Sequence, residues 1–179
     1  MSRPGILIAS PQMRDGNFAG TVVLLWHYDS EGAMGAVINQ ATRISVSDVC
    51  EQLGLDSSSD AETRAVLMGG PVEQNTGFVV YQGTAPDAAG WNPSSSVAVT
   101  TSIERLEELI QRDAPYLLLL GYAGWAPGQL DQEIETGSWL YTEITDDLVF
   151  DQPLEERYEH ALASLGLRSH MVWMQPIDE

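Results

Sequence analysis

LLLLGYAGWAPGQLDQEIETGSWL occupies Leu117–Leu140. With Tyr116 in front, its first part reads YLLLLGYAG, a strand apolar on both faces. Such a strand needs cover on both sides and belongs at the centre of a sheet. Gly121, Gly124 and Gly128 then interrupt the run. They match neither a Walker loop, which needs Lys and Ser/Thr, nor a G-x-G-x-x-G turn. Pro127 suits the first turn of a helix, where its missing N–H costs nothing. A short helix is expected over Pro127–Glu135, with Gly128 and Gln129 presenting free N–H groups to an anion or carbonyl oxygen. Asp131, Glu133 and Glu135 on that helix oppose an anion. The corner reads first as tight strand-to-helix packing around Trp125 and Leu130, and second as a ligand site.

Outward from this stretch, strands and helices mix without βαβ alternation. Apolar, β-branched runs predict strands at 5–9, 21–28, 34–39, 66–68, 77–83 and 97–101. The short link DSEG makes the second and third an antiparallel hairpin, since parallel partners need a longer crossover. SWLYTEI is extended, and MVWM (171–174) adds a final strand. Ser45 with Asp48 forms a capping-box pair, and Gly54 stops that helix. Thr101 with Glu104 forms a second box. Ile103, Leu106, Leu109 and Ile110 share one face of the helix it starts. Pro153 opens the last helix, with Leu154, Tyr158, Ala161, Leu162 and Leu165 on one face and Gly166 at its end. Segments 56–64 and 84–96 are polar loops. This order excludes a doubly wound sheet and gives one α+β domain over 1–179 with a mostly antiparallel sheet.

The formal charge is -18, from 26 acidic against 8 basic residues. Every basic residue is arginine, so Schiff-base, Walker and general-base lysines are all absent. The arginines are scattered and make no basic stripe, which argues against direct nucleic-acid binding. The acidity reads as a solubility feature. No apolar run reaches the ~18 residues of a membrane span. The first residues lack a signal-peptide pattern, so a cytoplasmic protein is expected. Cys50 is the single cysteine. It excludes an internal disulfide, and it reads as a small apolar residue whose acidic neighbours raise its pKa.

No catalytic motif stands out. His27, His160 and His170 lack metal-ligand spacing, and no calcium loop is present. No metal and no cofactor are expected. Ser10, at a strand end before Pro11, has only His27 as a conceivable base. Two further strand-end loops resemble the 121–129 corner: Gly69-Gly70-Pro71, whose paired glycines admit close backbone approach, and the loop beginning at Asn39. Convergence of the three would make a binding patch of Ser10, Asn39, Gly69, Gly70, Pro71, Tyr122, Gly124, Trp125, Gly128 and Gln129.

ASPQMRDGNFAGTVVLLWHYDSEGAMGAVIN, MGGPVEQNTGFVVYQ and LGYAGWAPGQLDQEIETGSWL together resemble the YqgE/AlgH family over nearly the whole chain. The resemblance implies a single-domain α+β fold with a small barrel-like part in its sheet and helices around it. Some members carry a transcriptional-regulator label; no enzymatic activity or cofactor is established for the family, so the resemblance supplies a fold rather than a function. Matching positions include Ser10, Asn39, Gly69, Gly70, Pro71, Gly121, Tyr122, Trp125, Gly128, Gln129, Glu133 and Trp139. The chain departs at Gln40-Ala41, where a basic residue and a proline are usual. It departs again at Ala126-Pro127, and at Tyr158, where tryptophan is common.

Three functions follow, in order. The first is a non-enzymatic binding or regulatory module, an indirect regulator of gene expression acting through a protein or small molecule. The second is an enzyme using Ser10, His27, Asn39, Gln129 or Glu133. The third is a homo-oligomer or protein-interaction domain anchored by Trp125.

Overall fold

The computed structural model describes residues 3–56, 61–62, 64–86 and 90–167. The first half contains β1 (Gly5–Ala9), β2 (Val22–Asp29), β3 (Gly32–Val37), β4 (Ala41–Ser45), α1 (Val46–Leu53), β5 (Ala65–Met68) and β6 (Val72–Gln82). The second contains β7 (Gly90–Trp91), β8 (Val97–Thr100), α2 (Ile103–Arg112), β9 (Tyr116–Trp125), α3 (Gln129–Glu135), β10 (Trp139–Thr142), a π-helical turn (Asp147–Asp151) and α4 (Leu154–Ala163). The strands form one curled half-barrel sheet in the order β10-β1-β2-β3-β9-β6-β8-β7, with β5 beside β9 and β4 beside β5. Among the described residues only β5 and β9 pair in parallel. The expected α+β class, the β2–β3 hairpin and the central place of β9 all hold.

β9 holds the sheet together because it has three partners. It pairs with β6 from Tyr116 to Tyr122, with β5 at Leu119 and Leu120, and with β3 from Ala123 to Trp125. Its side chains alternate as a strand requires. Leu117 and Leu119 point into the inner core beside Ile6, Leu24 and Val80. Tyr116, Leu118 and Leu120 point outward, into a core covered by α1 and α2. At Gly121 the alternation slips by one residue. Tyr122 faces the inner core, while Ala123 and Trp125 face a third core with Leu130 of α3 and Trp139. Gly121 sits at φ 78, and a Cβ there would lie 2.4 Å from the Gly70 carbonyl oxygen. Opposite it, six residues of β6 (Val72 to Gly77) face three of β9 (Leu120 to Tyr122), a long bulge with Glu73 at φ 48.

Local structure departs from the sequence reading in several places. β4 and β7 lie in stretches read as loop or helix approach. The β6 strand starts at Val72 rather than 77, because its bulged end is exposed and carries no apolar alternation. Helix α2 is capped by Ser102, whose hydroxyl accepts from the Arg105 N–H, rather than by Thr101. The α1 capping box of Ser45 and Asp48 forms as expected, with Gly54 left-handed after it. Pro127 stays outside α3, which begins at Gln129 behind a left-handed Gly128. In α4 the buried residues are Arg157, Ala161 and Leu162, and Leu165 is exposed. Arg157 spans the carbonyls of Ile38 and Gln152, and burial pulls its pKa down to about 10. The expected strand at 171–174 lies outside the described residues.

Candidate functional site

The corner after β9 is built around one carboxylate. Glu133 Oε1 accepts from the indole N–H groups of Trp125 and Trp139, each at 3.0 Å, and Oε2 accepts from Gln129 Nε2 at 3.0 Å. Gln129 Oε1 accepts in turn from the Ala126 N–H at 2.9 Å. Phe18 stacks on Trp125 and meets Trp139 edge-on. Beside this cluster a cleft of about 490 Å³ runs along Gly124, Trp125, Gln129 and Glu133 to the 12–15 loop. The Gln129 N–H donates to the Ala126 carbonyl, so it is not the free donor the sequence suggested.

The other candidate residues spend their polar groups on the backbone. Asn39 Oδ1 accepts from the Val22 N–H at 2.9 Å, and its Nδ2 donates to the Gly20 carbonyl. It thereby holds the end of the loop carrying Phe18. Gly69 and Gly70 are buried against β9: a Cβ on Gly70 would lie 2.3 Å from the Tyr122 carbonyl. Pro71, exposed, links them to β6. Tyr122 is half-buried, edge-on to Phe78. Ser10 Oγ accepts from the Gln12 N–H at 3.3 Å. The structure therefore joins Gly124, Trp125 and Gln129 at one cleft, and uses Asn39, Gly69 and Gly70 to fix the backbone behind it.

Ser10 and His27 do not meet. β1 and β2 are neighbours as expected, but their register pairs Ile8 with Val22 and Gly5 with Leu25. Ser10 is level with residue 20 and His27 with residue 3, so they lie on the order of 20 Å apart along the strand. His27 pairs instead with Asp29 at 3.1 Å on the surface. Cys50 is fully buried, and burial with the nearby Glu107 pushes its thiol pKa up.

A larger recess escaped the sequence reading. Helices α1 and α2 leave a groove of about 700 Å³ over the outer face of β6 and β9. Leu118, Leu120, Val79 and Leu106 line it. Ile44, Leu53 and Ile103 also line it, and they are 40%, 42% and 50% exposed. The β6 bulge supplies a polar lip of Gln74, Asn75 and Thr76. The sequence carries one signal, Ile103 on the apolar face of α2; the structure buries only Leu106, Leu109 and Ile110 of that face.

A chain with this curled sheet and three-partner central strand belongs to a defined class. The profile of the AlgH-like family matches residues 6–170, and the chain belongs to that family. It is 41% identical to a UPF0301 protein of Anaeromyxobacter sp. (strain Fw109-5), covering 92% of this chain and 88% of that one. It is 38% identical to a UPF0301 protein of Photobacterium profundum, covering 90% of each. Among solved structures it resembles the AlgH protein from Pseudomonas aeruginosa, with 34% identity, a TM-score of 0.76, and coverage of 96% of this chain and 93% of that one. Protein DIP2367 from Corynebacterium diphtheriae shares the fold at 21% identity and a TM-score of 0.72, over 92% of this chain and 87% of its own. None of these names carries an activity. Among the described residues, no helix is long and apolar enough to cross a membrane.

Proposed function

We propose that this chain is a non-enzymatic binding module whose ligand lies in the groove between α1 and α2. The observation that carries this is the grouping of Ile44, Leu53 and Ile103, all partly open to water, around one recess with an apolar floor. Isolated exposed apolar residues are ordinary, but a contiguous patch marks an interaction site. The ionisable residues lining the groove are Asp48 and Glu51. Asp48 Oδ2 already accepts from the Ser45 N–H. Asp48 and Ser102 spend their side-chain oxygens on the caps of α1 and α2, and among the described residues the lining holds no histidine, cysteine or arginine, which favours binding over turnover. The -18 charge and absence of lysine oppose phosphate contacts. Any effect on gene expression then passes through a partner, in the cytoplasm.

Nile red, a neutral apolar dye, tests the groove. The protein should bind it saturably, and Ile103→Gln should weaken binding about tenfold. The same variant should change stability by less than about 0.5 kcal/mol, because the side chain is half exposed. Unchanged binding in Ile103→Gln, or no saturable binding by the parent chain, overturns the groove as the site.

A second reading is favoured by the cleft beside Trp125 and Gln129, where indoles and a carboxylate meet. A ligand lost in Gln129→Ala and kept in Ile103→Gln would move the binding function there.

A further inference from the structure

We infer that the occupant of the α1–α2 groove is a basic amphipathic helix of a protein partner; this rests on the groove being the binding site. Three observations narrow the occupant. The first is charge. Asp48 and Glu51 line the groove, and among the described residues no arginine or histidine does. Arg43 is next to Ile44 in sequence but does not line it. Arg105 of α2 lies over the Tyr81 ring at 5.3 Å and pairs with Glu108. An anionic ligand would meet no cation here, whereas a basic one meets two carboxylates inside the field of a -18 chain.

The second observation is that the groove offers side chains rather than a ladder. Over the apolar floor, β6 is paired on both edges at Val79–Tyr81, with β8 and β9, and β9 with β5 and β6 at Leu119–Leu120, while residues 73–76 bulge out of the ladder as the polar lip. At the β4 rim, the Ile44 N–H is taken by Thr42 Oγ1 at 3.1 Å. An extended peptide added there would leave backbone groups unpaired. A helix satisfies its own backbone and presents apolar side chains at i, i+3 or i+4, and i+7.

The third observation is the division of the surface. Leu53 and Ile103 stand on different helices with the apolar floor between them, and Gln74, Asn75 and Thr76 form a neutral lip. An apolar stripe fits the floor, while a basic flank lies beside Glu51. Electrostatic attraction then speeds encounter, and apolar burial holds the complex.

The test uses the whole chain, ¹⁵N-labelled, at about 0.15 M salt, with four designed peptides of ~15 residues. One is an amphipathic Leu/Lys helix, one its Leu/Glu counterpart, one a Leu/Gln counterpart, and one a scrambled Leu/Lys sequence without an apolar face. The Leu/Lys helix should bind saturably and shift amide signals of α1, α2 and residues 72–77. Its affinity should exceed those of the Leu/Glu and scrambled peptides by about tenfold or more. Glu51→Lys and Ile103→Gln should each weaken it about tenfold, with circular dichroism unchanged. Equal binding of the Leu/Glu helix, equal binding of the scrambled peptide, or shifts elsewhere overturn the inference. If the Leu/Gln peptide and Nile red still occupy the groove in such a case, the binding-module reading survives and the basic partner alone falls. If nothing occupies it, both fall.

Discussion

The indole N–H groups of Trp125 and Trp139 donate to the same oxygen, Glu133 Oε1. One side chain on α3 thus fastens the end of β9 to the start of β10. With Gln129 on Oε2, three donors converge on one carboxylate. Both indoles are buried, so removal of the acceptor strands them. Glu133→Ala should lower unfolding free energy by about 1–3 kcal/mol and alter tryptophan emission. Glu133→Gln keeps one oxygen but sets an amide donor against Gln129, and should cost about 1 kcal/mol. Urea denaturation checks both; a loss under about 0.5 kcal/mol for the alanine variant would mean that the carboxylate fastens nothing.

Gly121 and Gly128 have nearly the same backbone conformation, φ 78 and φ 77. Their surroundings differ: a Cβ on Gly121 strikes the Gly70 carbonyl, while Gly128 has open space. Gly128→Ala should cost about 1–2 kcal/mol, the left-handed penalty alone. Gly121→Ala adds a backbone clash and should cost clearly more, with loss of soluble yield as the extreme. Equal losses in guanidinium melts would contradict the close approach of β6 and β9.

Ser102→Ala should remove about 1 kcal/mol, since Ser102 caps α2. Thr101→Ala should stay within about 0.5 kcal/mol. Thermal melts of the two variants decide which residue starts the helix, and a larger loss at Thr101 would restore the cap read from sequence.

Tyr158 donates to the Ala9 carbonyl at 2.7 Å, and burial pushes its pKa up to about 12. Tyr28 is raised too, by burial and its bond to Asp131. A raised phenol favours the folded state fully below the unfolded value of about 10. Between pH 10 and about 12 the unfolded chain has lost this proton and the folded chain has kept it. Stability should therefore fall as pH rises through that window. Tyrosinate absorbance should show a late-titrating fraction, reduced in Tyr158→Phe and in Tyr28→Phe. The stability slope of Tyr158→Phe should be flatter. A single titration near pH 10 for all tyrosines would refute the shifts.

Much of the fold was legible where burial and period agree. β1, the β2–β3 hairpin, the Ser45–Asp48 box and the doubly covered β9 each have a local cause. β4 was not legible, because ATRIS is mostly exposed and shows no apolar alternation. β7 has only Gly90 and Trp91, too few for any pattern. The site was read at the glycine corner because glycines and tryptophans mark it in the sequence. The groove stayed hidden because it exists only where α1 and α2, separated by some fifty residues of chain, come together over one sheet. Ser10 and His27 show the converse: neighbouring strands were foreseen, but antiparallel register set the residues at opposite ends.

The slip at Gly121 has a consequence for ligands. Leu118 and Leu120 line the groove, and Trp125 lines the other cleft, all carried by the outer face of one continuous strand. A paired strand is a stiff ruler of about 3.3 Å per residue. From Leu120 to Trp125 the two recesses are thus at most about 16 Å apart along the strand, with the left-handed Gly121 shortening that path. A partner reaching both would have to carry two contact points within that distance, and a small ligand can fill only one.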